Sequence, residues 1–388
     1  MVRDAVQTAG LVLAAIVVGA VGWSGEPLAL PLAIAFPVLW SLAPSRLAAA
    51  LVSAGYFLAA SRGLPQGVIN FYGSGFGAGL WLWIAAALGF VIVHAVLWTA
   101  RLGLGRALRY SVAAVLMSVP PFGIVGWAHP ITAAGILFPG WGWWGLAVAA
   151  IGLLAMTARI RPLAAVVLTG FWILSASSWT SPDAPEGWIG VDTAFGGGHG
   201  EHAGYAQHLE TIALVRSTVD DGHDVVVLPE SSAGIWTPTV EALWRRALAN
   251  LDVTVLVGAV IVDHGGYDNV IVAVSSARAE ILYRERMPVP ASMWRPWLAW
   301  SGETGGARAH FFANPVVDVS GLKVAPLICY EQLLIWPIIQ SALHRPEIII
   351  ATGNGWWTQG TSIVAIQKAS AIAWAALFGI PVVMAFNT

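Results

Sequence analysis

Between residues 5 and 177 the chain passes through seven apolar stretches, at about 5–23, 27–44, 46–61, 77–99, 107–127, 131–157 and 161–177. No other feature constrains the fold as much. Roughly 20 apolar residues suffice to cross hydrocarbon as a helix, which satisfies its own backbone N–H and C=O groups there. The second, third and seventh stretches are short by that measure. Pro31 and Pro37 predict kinks in the second, and Pro120 and Pro121 in the fifth. Composition points the same way: 57% of the residues are hydrophobic and 10% charged, whereas soluble domains average about 25% charged. One soluble core cannot hide that much nonpolar surface, so a multi-pass α-helical membrane domain is expected over residues 1–180. Some of the 21 tryptophans are expected at membrane interfaces, where an amphipathic ring is favoured. The run after Arg3 reads as a first anchor rather than a cleaved leader, because further spans follow it.

Arginine placement orients these spans. With the N-terminus in the cytoplasm, Arg3, Arg46, Arg101, Arg106, Arg109, Arg159 and Arg161 face inward and only Arg62 faces outward. An odd number of spans then carries everything after residue 180 to the periplasmic side of a bacterial inner membrane, while one miscounted span returns it to the cytoplasm. The longest outward loop, 62–76, is rich in glycine and aromatics and reads either as a segment dipping toward the bilayer or as a plain connection.

From Asp183 onward the texture changes to short apolar runs alternating with polar helical patterns, an α/β rhythm over residues 181–388. Strands are expected at IGVDT (189–193), DVVVLPE (224–230), VTVLVGAVI (253–261), LKVAPLICYE (322–331), EIIIATGN (347–354) and the final PVVMAFNT. NVIVAVS and EILYRER form a hairpin pair. Helices are expected near 204–221, 239–249 and 361–377. The continuous run Val225–Leu228 fits a parallel strand covered on both faces.

Three polar residues stand at the C-terminal ends of these strands: Glu230, Cys329 and Asn354. Sites in open α/β sheets form beyond those ends. Singly each has a plain structural reading. A lone cysteine packs as a small hydrophobe, an acid suits a helix N-terminus, and Asn354-Gly355 suits a turn. Their convergence is the informative feature. Cys329 is the single cysteine, so no intrachain disulfide forms. The Gly-rich segment 196–200 lacks the spacing of a phosphate loop. The net charge of −2 gives no argument for binding nucleic acid. The nine histidines show no ligand spacing for a metal, and no organic cofactor is suggested.

In that order and spacing, LPES (228–231), ICYE (328–331) and GNGWW (353–357) resemble the carbon–nitrogen hydrolase, or nitrilase, superfamily. Membrane spans followed by such a domain look like the apolipoprotein N-acyltransferase family. RMPVPASMW and the chain length are more similar still to a conjugal-transfer branch related to it. The resemblance implies an αββα sandwich with a Glu–Lys–Cys catalytic set. It makes Glu230 the general base, Cys329 the nucleophile and Glu331 a supporting acid, with Asn354 and Trp357 alongside. It implies acyl transfer or amide hydrolysis through a thioester, with membrane lipid as partner, a phospholipid as acyl donor, and a lipoprotein amino terminus or another amine as acceptor, in the setting of plasmid conjugation.

The chain departs from that pattern where the lysine belongs. The expected Tyr-x-Lys-x-x-x-Val-Pro reads Tyr283-Arg284-Glu285-Arg286-Met287-Pro288-Val289-Pro290, so Glu285 takes the lysine position. The only lysines are Lys323 and Lys368. The second glutamate expected after Val-Pro is replaced by Ala291-Ser292-Met293. Arg286 can supply an oxyanion with charge, but it cannot shuttle a proton as lysine does. Three readings stay open: an enzyme in which Arg286 joins Glu230 and Cys329, one in which Lys368 reaches the site from elsewhere in the fold, or a catalytically silent scaffold that binds a lipid, peptide or partner. Trp294, Trp297 and Trp300, three residues apart, read either as an interfacial arm admitting an acyl chain or as a packed lid. The acyltransferase family continues beyond the Asn-Thr at which this sequence stops.

Overall fold

A computed structural model describes residues 2–73, 75–196 and 204–388. Most of the Gly-rich segment 196–200 lies outside the described residues. The chain forms two compact units. One comprises Met1–Pro182 with Leu333–Trp336 and Gly360–Gly379; the other comprises Asp183–Gln332, Pro337–Gln359 and Ile380–Thr388.

The first unit is helical. Val2–Gly22 and Phe76–Leu97 are long and apolar enough to cross a membrane, and Arg46–Ala60 with Leu64–Tyr72 forms a third candidate bent by 53°. The bend changes the reading of loop 62–76, because most of that loop is helix. The remaining apolar stretches make shorter helices, Pro27–Leu42, Gly142–Thr157 and Arg161–Ser177. The stretch 107–127 yields α-helix only to Leu116, just short of the Pro120-Pro121 pair, and then a single 3-10 turn at Phe122–Val125. The stretch 131–157 breaks after Leu137 and resumes at Gly142, across a segment holding Pro139, which has no N–H to continue a helix. Seven apolar stretches therefore do not make seven long helices. Proline sets the difference.

Small residues let the helices approach. A Cβ on Gly19 would lie 2.2 Å from the Tyr56 carbonyl oxygen, so glycine is needed where Val2–Gly22 crosses Arg46–Ala60. Tyr56 then accepts a 2.8 Å bond from Trp23 Nε1 and donates one of 2.8 Å to Ala128 O, while its ring stacks on Phe36 at 4.5 Å. Helix Ile363–Phe378, which the sequence places in the second half, groups with this unit. Its Ala376 carbonyl accepts from Gly140 N at 2.7 Å, and Phe378 meets Trp143 edge-on.

The second unit holds two sheets. One has the order β1 (Trp188–Gly190), β2 (Val225–Val227), β3 (Thr254–Asp263), β4 (Gly266–Val274), β5 (Ala279–Arg284); β1 to β3 are parallel and β3 to β5 antiparallel. The other runs β6 (Val317–Val319), β7 (Leu322–Ile328), β8 (Ile348–Asn354), β9 (Val382–Asn387), with β7 to β9 parallel. The strand period of two explains the apolar run in β2. Val225 and Val227 point into a core shared with Ile328, Ile348 and Ile350 of the other sheet. Val226 and Leu228 point the opposite way, against Val215 and Trp244 of helices Tyr205–Asp220 and Pro238–Ala247. The unit is thus an α/β fold with two face-to-face sheets and helices over the outer face of the first.

Candidate active site

Glu230, Cys329 and Asn354 follow β2, follow β7 and end β8, and the structure brings all three together. Two tight turns do this. Ser231, directly after Glu230, has φ +58°, and Cys329 itself has φ +48°. That region is unfavourable for residues other than glycine, and such strain persists only where surroundings enforce it. β3 supports the first turn from beneath: a Cβ on Gly258 would stand 2.2 Å from Pro229 O and 2.6 Å from Glu230 Cα, so glycine alone fits there.

The Glu230 carboxyl is nearly enclosed. Its Oε1 accepts from Asn269 Nδ2 at 2.9 Å and its Oε2 from Asn354 N at 3.0 Å, and it is hydrogen-bonded to the Cys329 thiol. Burial pushes its pKa up to about 7, the nearby Glu331 adds to the rise, and the bonds to Cys329 and Asn354 restrain it. A carboxyl poised near neutrality, in contact with a thiol, is matched to taking that thiol's proton. Cys329 is itself buried, 7% exposed.

Glu331 lies two residues beyond the thiol, fully buried, and gathers donors. Ile328 N donates at 2.8 Å, Arg286 N at 2.7 Å and Met287 N at 3.2 Å, and the Tyr283 hydroxyl approaches both carboxylate oxygens at 2.9 and 2.7 Å. It therefore ties the nucleophile turn to the end of β5.

Arg286 stands differently from the role the sequence suggests. Its guanidinium is fully buried and committed elsewhere. Nε donates to Tyr283 Oη at 2.8 Å and lies 3.7 Å from Glu331 Oε1. Nη1 donates to Gln340 Oε1 at 3.1 Å, and Nη2 to Ser341 Oγ at 3.1 Å and Pro326 O at 3.3 Å. Arg286 is a positioning residue that neutralises Glu331.

Glu285, in the lysine position, faces the base. Asn269 Nδ2, which bonds Glu230, also donates to Glu285 Oε2 at 3.0 Å, while Glu285 Oε1 is buried without a hydrogen-bond partner. Burial raises its pKa well above the usual carboxylate range, and Glu230 and Glu331 raise it further.

Asn354 is held from behind. Asn387 Nδ2 donates to its Oδ1 at 2.9 Å, and Trp357 Nε1 donates to its carbonyl at 2.9 Å. Asn387 Oδ1 also accepts from Thr193 Oγ1 at 3.0 Å and Phe195 N at 2.7 Å, which fixes the root of the segment leading to the Gly-rich stretch. Of the three tryptophans, Trp294 meets Phe311 edge-on at 5.3 Å, whereas Trp297 and Trp300 are exposed, the latter 87%. Among the described residues no group of three His, Cys, Asp or Glu side chains is arranged to hold a metal ion. Asn269 and Asn387 escaped the sequence reading. The sole trace of Asn269 is a polar residue opening an apolar strand.

A thiol hydrogen-bonded to a buried carboxyl stands where strands of two facing sheets end, and the chain belongs to the carbon–nitrogen hydrolase family, whose sequence model matches residues 58–376. Over its full length it is 59% identical to the conjugal transfer protein TraB of Agrobacterium fabrum, of which it covers 94%. It is 58% identical to the probable conjugal transfer protein TraB of Sinorhizobium fredii over the whole of both chains. A solved carbon–nitrogen hydrolase from Helicobacter pylori is 16% identical, with 51% of this chain and 72% of that chain covered and a TM-score of 0.36.

Proposed function

We propose that the chain is a multi-pass protein of the bacterial inner membrane that assists plasmid conjugal transfer by covalent acyl chemistry at Cys329, in a domain on the periplasmic face. The observation that carries the chemistry is the hydrogen bond between the Cys329 thiol and a Glu230 carboxyl poised near neutrality. Glu230 takes the thiol proton as sulfur attacks an ester or amide carbonyl. The tetrahedral intermediate collapses to a thioester, and the leaving alcohol or amine departs with that proton. Water or an amine then takes the acyl group. A phospholipid is the proposed donor, and a lipoprotein amino terminus or another amine the proposed acceptor. The membrane reading rests on the seven-to-one arginine distribution and on outward apolar side chains such as Leu13, Val17, Ile92 and Val96 along the two longest helices. The setting rests on the full-length likeness to two proteins named for conjugal transfer.

A second reading, a silent scaffold, draws on the missing lysine and on an Arg286 that is spent elsewhere. Mating separates the two. Cys329→Ala is expected to lower transfer frequency to the level of a strain lacking the protein, at equal protein abundance in the membrane. Full retention of transfer would establish the scaffold and remove the acyl chemistry from conjugation.

A further inference from the structure

The family pattern set out above has a lysine where this chain has Glu285. Here a carboxyl occupies that position, 1% exposed. Two carboxyls sharing one amide in a buried site cannot both ionise without a cation to offset them. Arg286 does not serve, because it offsets Glu331. The hydrogen bonds already formed fix where a proton would sit on Glu285. Oε2 accepts from Asn269, so the proton belongs on Oε1, the oxygen with no partner. That leaves an O–H donor two hydrogen bonds from the carboxyl that holds the thiol.

We propose that Glu285 acts as a neutral acid that donates a hydrogen bond from Oε1 to the acyl carbonyl oxygen as the Cys329 sulfur attacks, taking over oxyanion stabilisation from the lysine. The inference rests on the thioester reading above and deepens it. The proton balance is closed. The thiol proton moves to Glu230 as the S–C bond forms, and the carbonyl π electrons move to the oxygen. Glu285 retains its own proton throughout. On collapse the C–O or C–N bond breaks and Glu230 returns its proton to the leaving group. A neutral carboxylic acid is a strong donor to a developing oxyanion in a dry site. The site therefore divides acid from base between two glutamates, with Asn269 bridging them. The charged and titratable groups around Glu285 are Glu230 with Cys329, from the ends of β2 and β7, and Glu331 with its partners Arg286 and Tyr283.

Two probes on the full-length protein in detergent test this. Iodoacetamide alkylates Cys329 by displacement at carbon and needs no oxyanion donor. p-Nitrophenyl butyrate acylates it through a tetrahedral intermediate, and its leaving group departs unprotonated. Glu285→Ala is expected to slow acylation by about 100-fold, the scale of losing one oxyanion donor, and to leave alkylation unchanged. Glu285→Gln keeps a donor of the same shape and is expected to retain most acylation. Because a carboxyl loses its donor proton as pH rises, wild-type acylation should decline at high pH, and Glu285→Gln should abolish that decline. Equal acylation of wild type and Glu285→Ala overturns the proposal. So does an equal slowing of both reactions, which would place Glu285 behind Glu230, and so does an alkaline decline that persists in Glu285→Gln. A wild-type protein that is alkylated but never acylated overturns the thioester reading itself, and this proposal with it.

Discussion

Glu230→Gln is expected to slow every covalent reaction of Cys329 by about 10²–10⁴-fold near neutral pH, the usual range for removing a positioned base. Glu230 is the group in contact with the thiol to accept its proton as sulfur attacks. Base function needs the ionised carboxyl. The wild-type alkylation rate should therefore climb as pH rises through about 7, and the glutamine variant should lose that step. The same burial bears on stability with a definite sign. The folded pKa of Glu230 lies above its ordinary value of 4.5, so between those values the native protein binds more protons than the unfolded chain. Stability thus falls as pH rises from 4.5 to about 7, and Glu230→Gln should flatten that fall. An unchanged alkylation rate in the variant would remove Glu230 from the chemistry.

The second large effect concerns Arg286. Arg286→Met leaves Glu331 buried with no opposite charge beside it. Breaking one partner of such a pair costs about 3–5 kcal/mol. For a unit of this size that lowers the thermal midpoint on the order of 10 °C. The double substitution Arg286→Met with Glu331→Leu should recover a large part of the loss, since an apolar replacement of a buried pair is often neutral. Thermal unfolding of the detergent-solubilised protein measures both. If Arg286→Met kept its midpoint but lost acylation, the guanidinium would return to the oxyanion role that its residue type suggests.

That reversal for Arg286 shows where sequence stops informing. Glu230, Cys329 and Asn354 were legible because each terminates an apolar run, and strand ends in parallel sheets converge by topology. Glu331 was legible because a turn fixes its distance from Cys329. The direction of Arg286 was not, since Gln340 and Ser341 lie 54 and 55 residues away and leave no local pattern. Asn269 was missed for a related reason. It matters through two carboxyls, 39 and 16 residues away, that meet only once β2 to β5 are assembled into one sheet.

In the helical unit the apolar stretches were plain, but hydropathy does not report where a helix stops. Pro120, Pro121 and Pro139 divide stretches that average hydrophobicity reads as continuous. Helix Ile363–Phe378 was placed by chain order with the strands that flank it, and packing assigns it otherwise. An internal helix nearly all of whose residues are nonpolar carries no amphipathic mark of which neighbour it will choose.

The most direct measurement is intact mass of the full-length protein after incubation with an isotopically labelled phospholipid. The account predicts one added acyl chain on wild type, released by hydroxylamine as a thioester is, and absent from Cys329→Ser. Wild-type protein left unmodified across several phospholipid classes, or an adduct that survives Cys329→Ser, would contradict it.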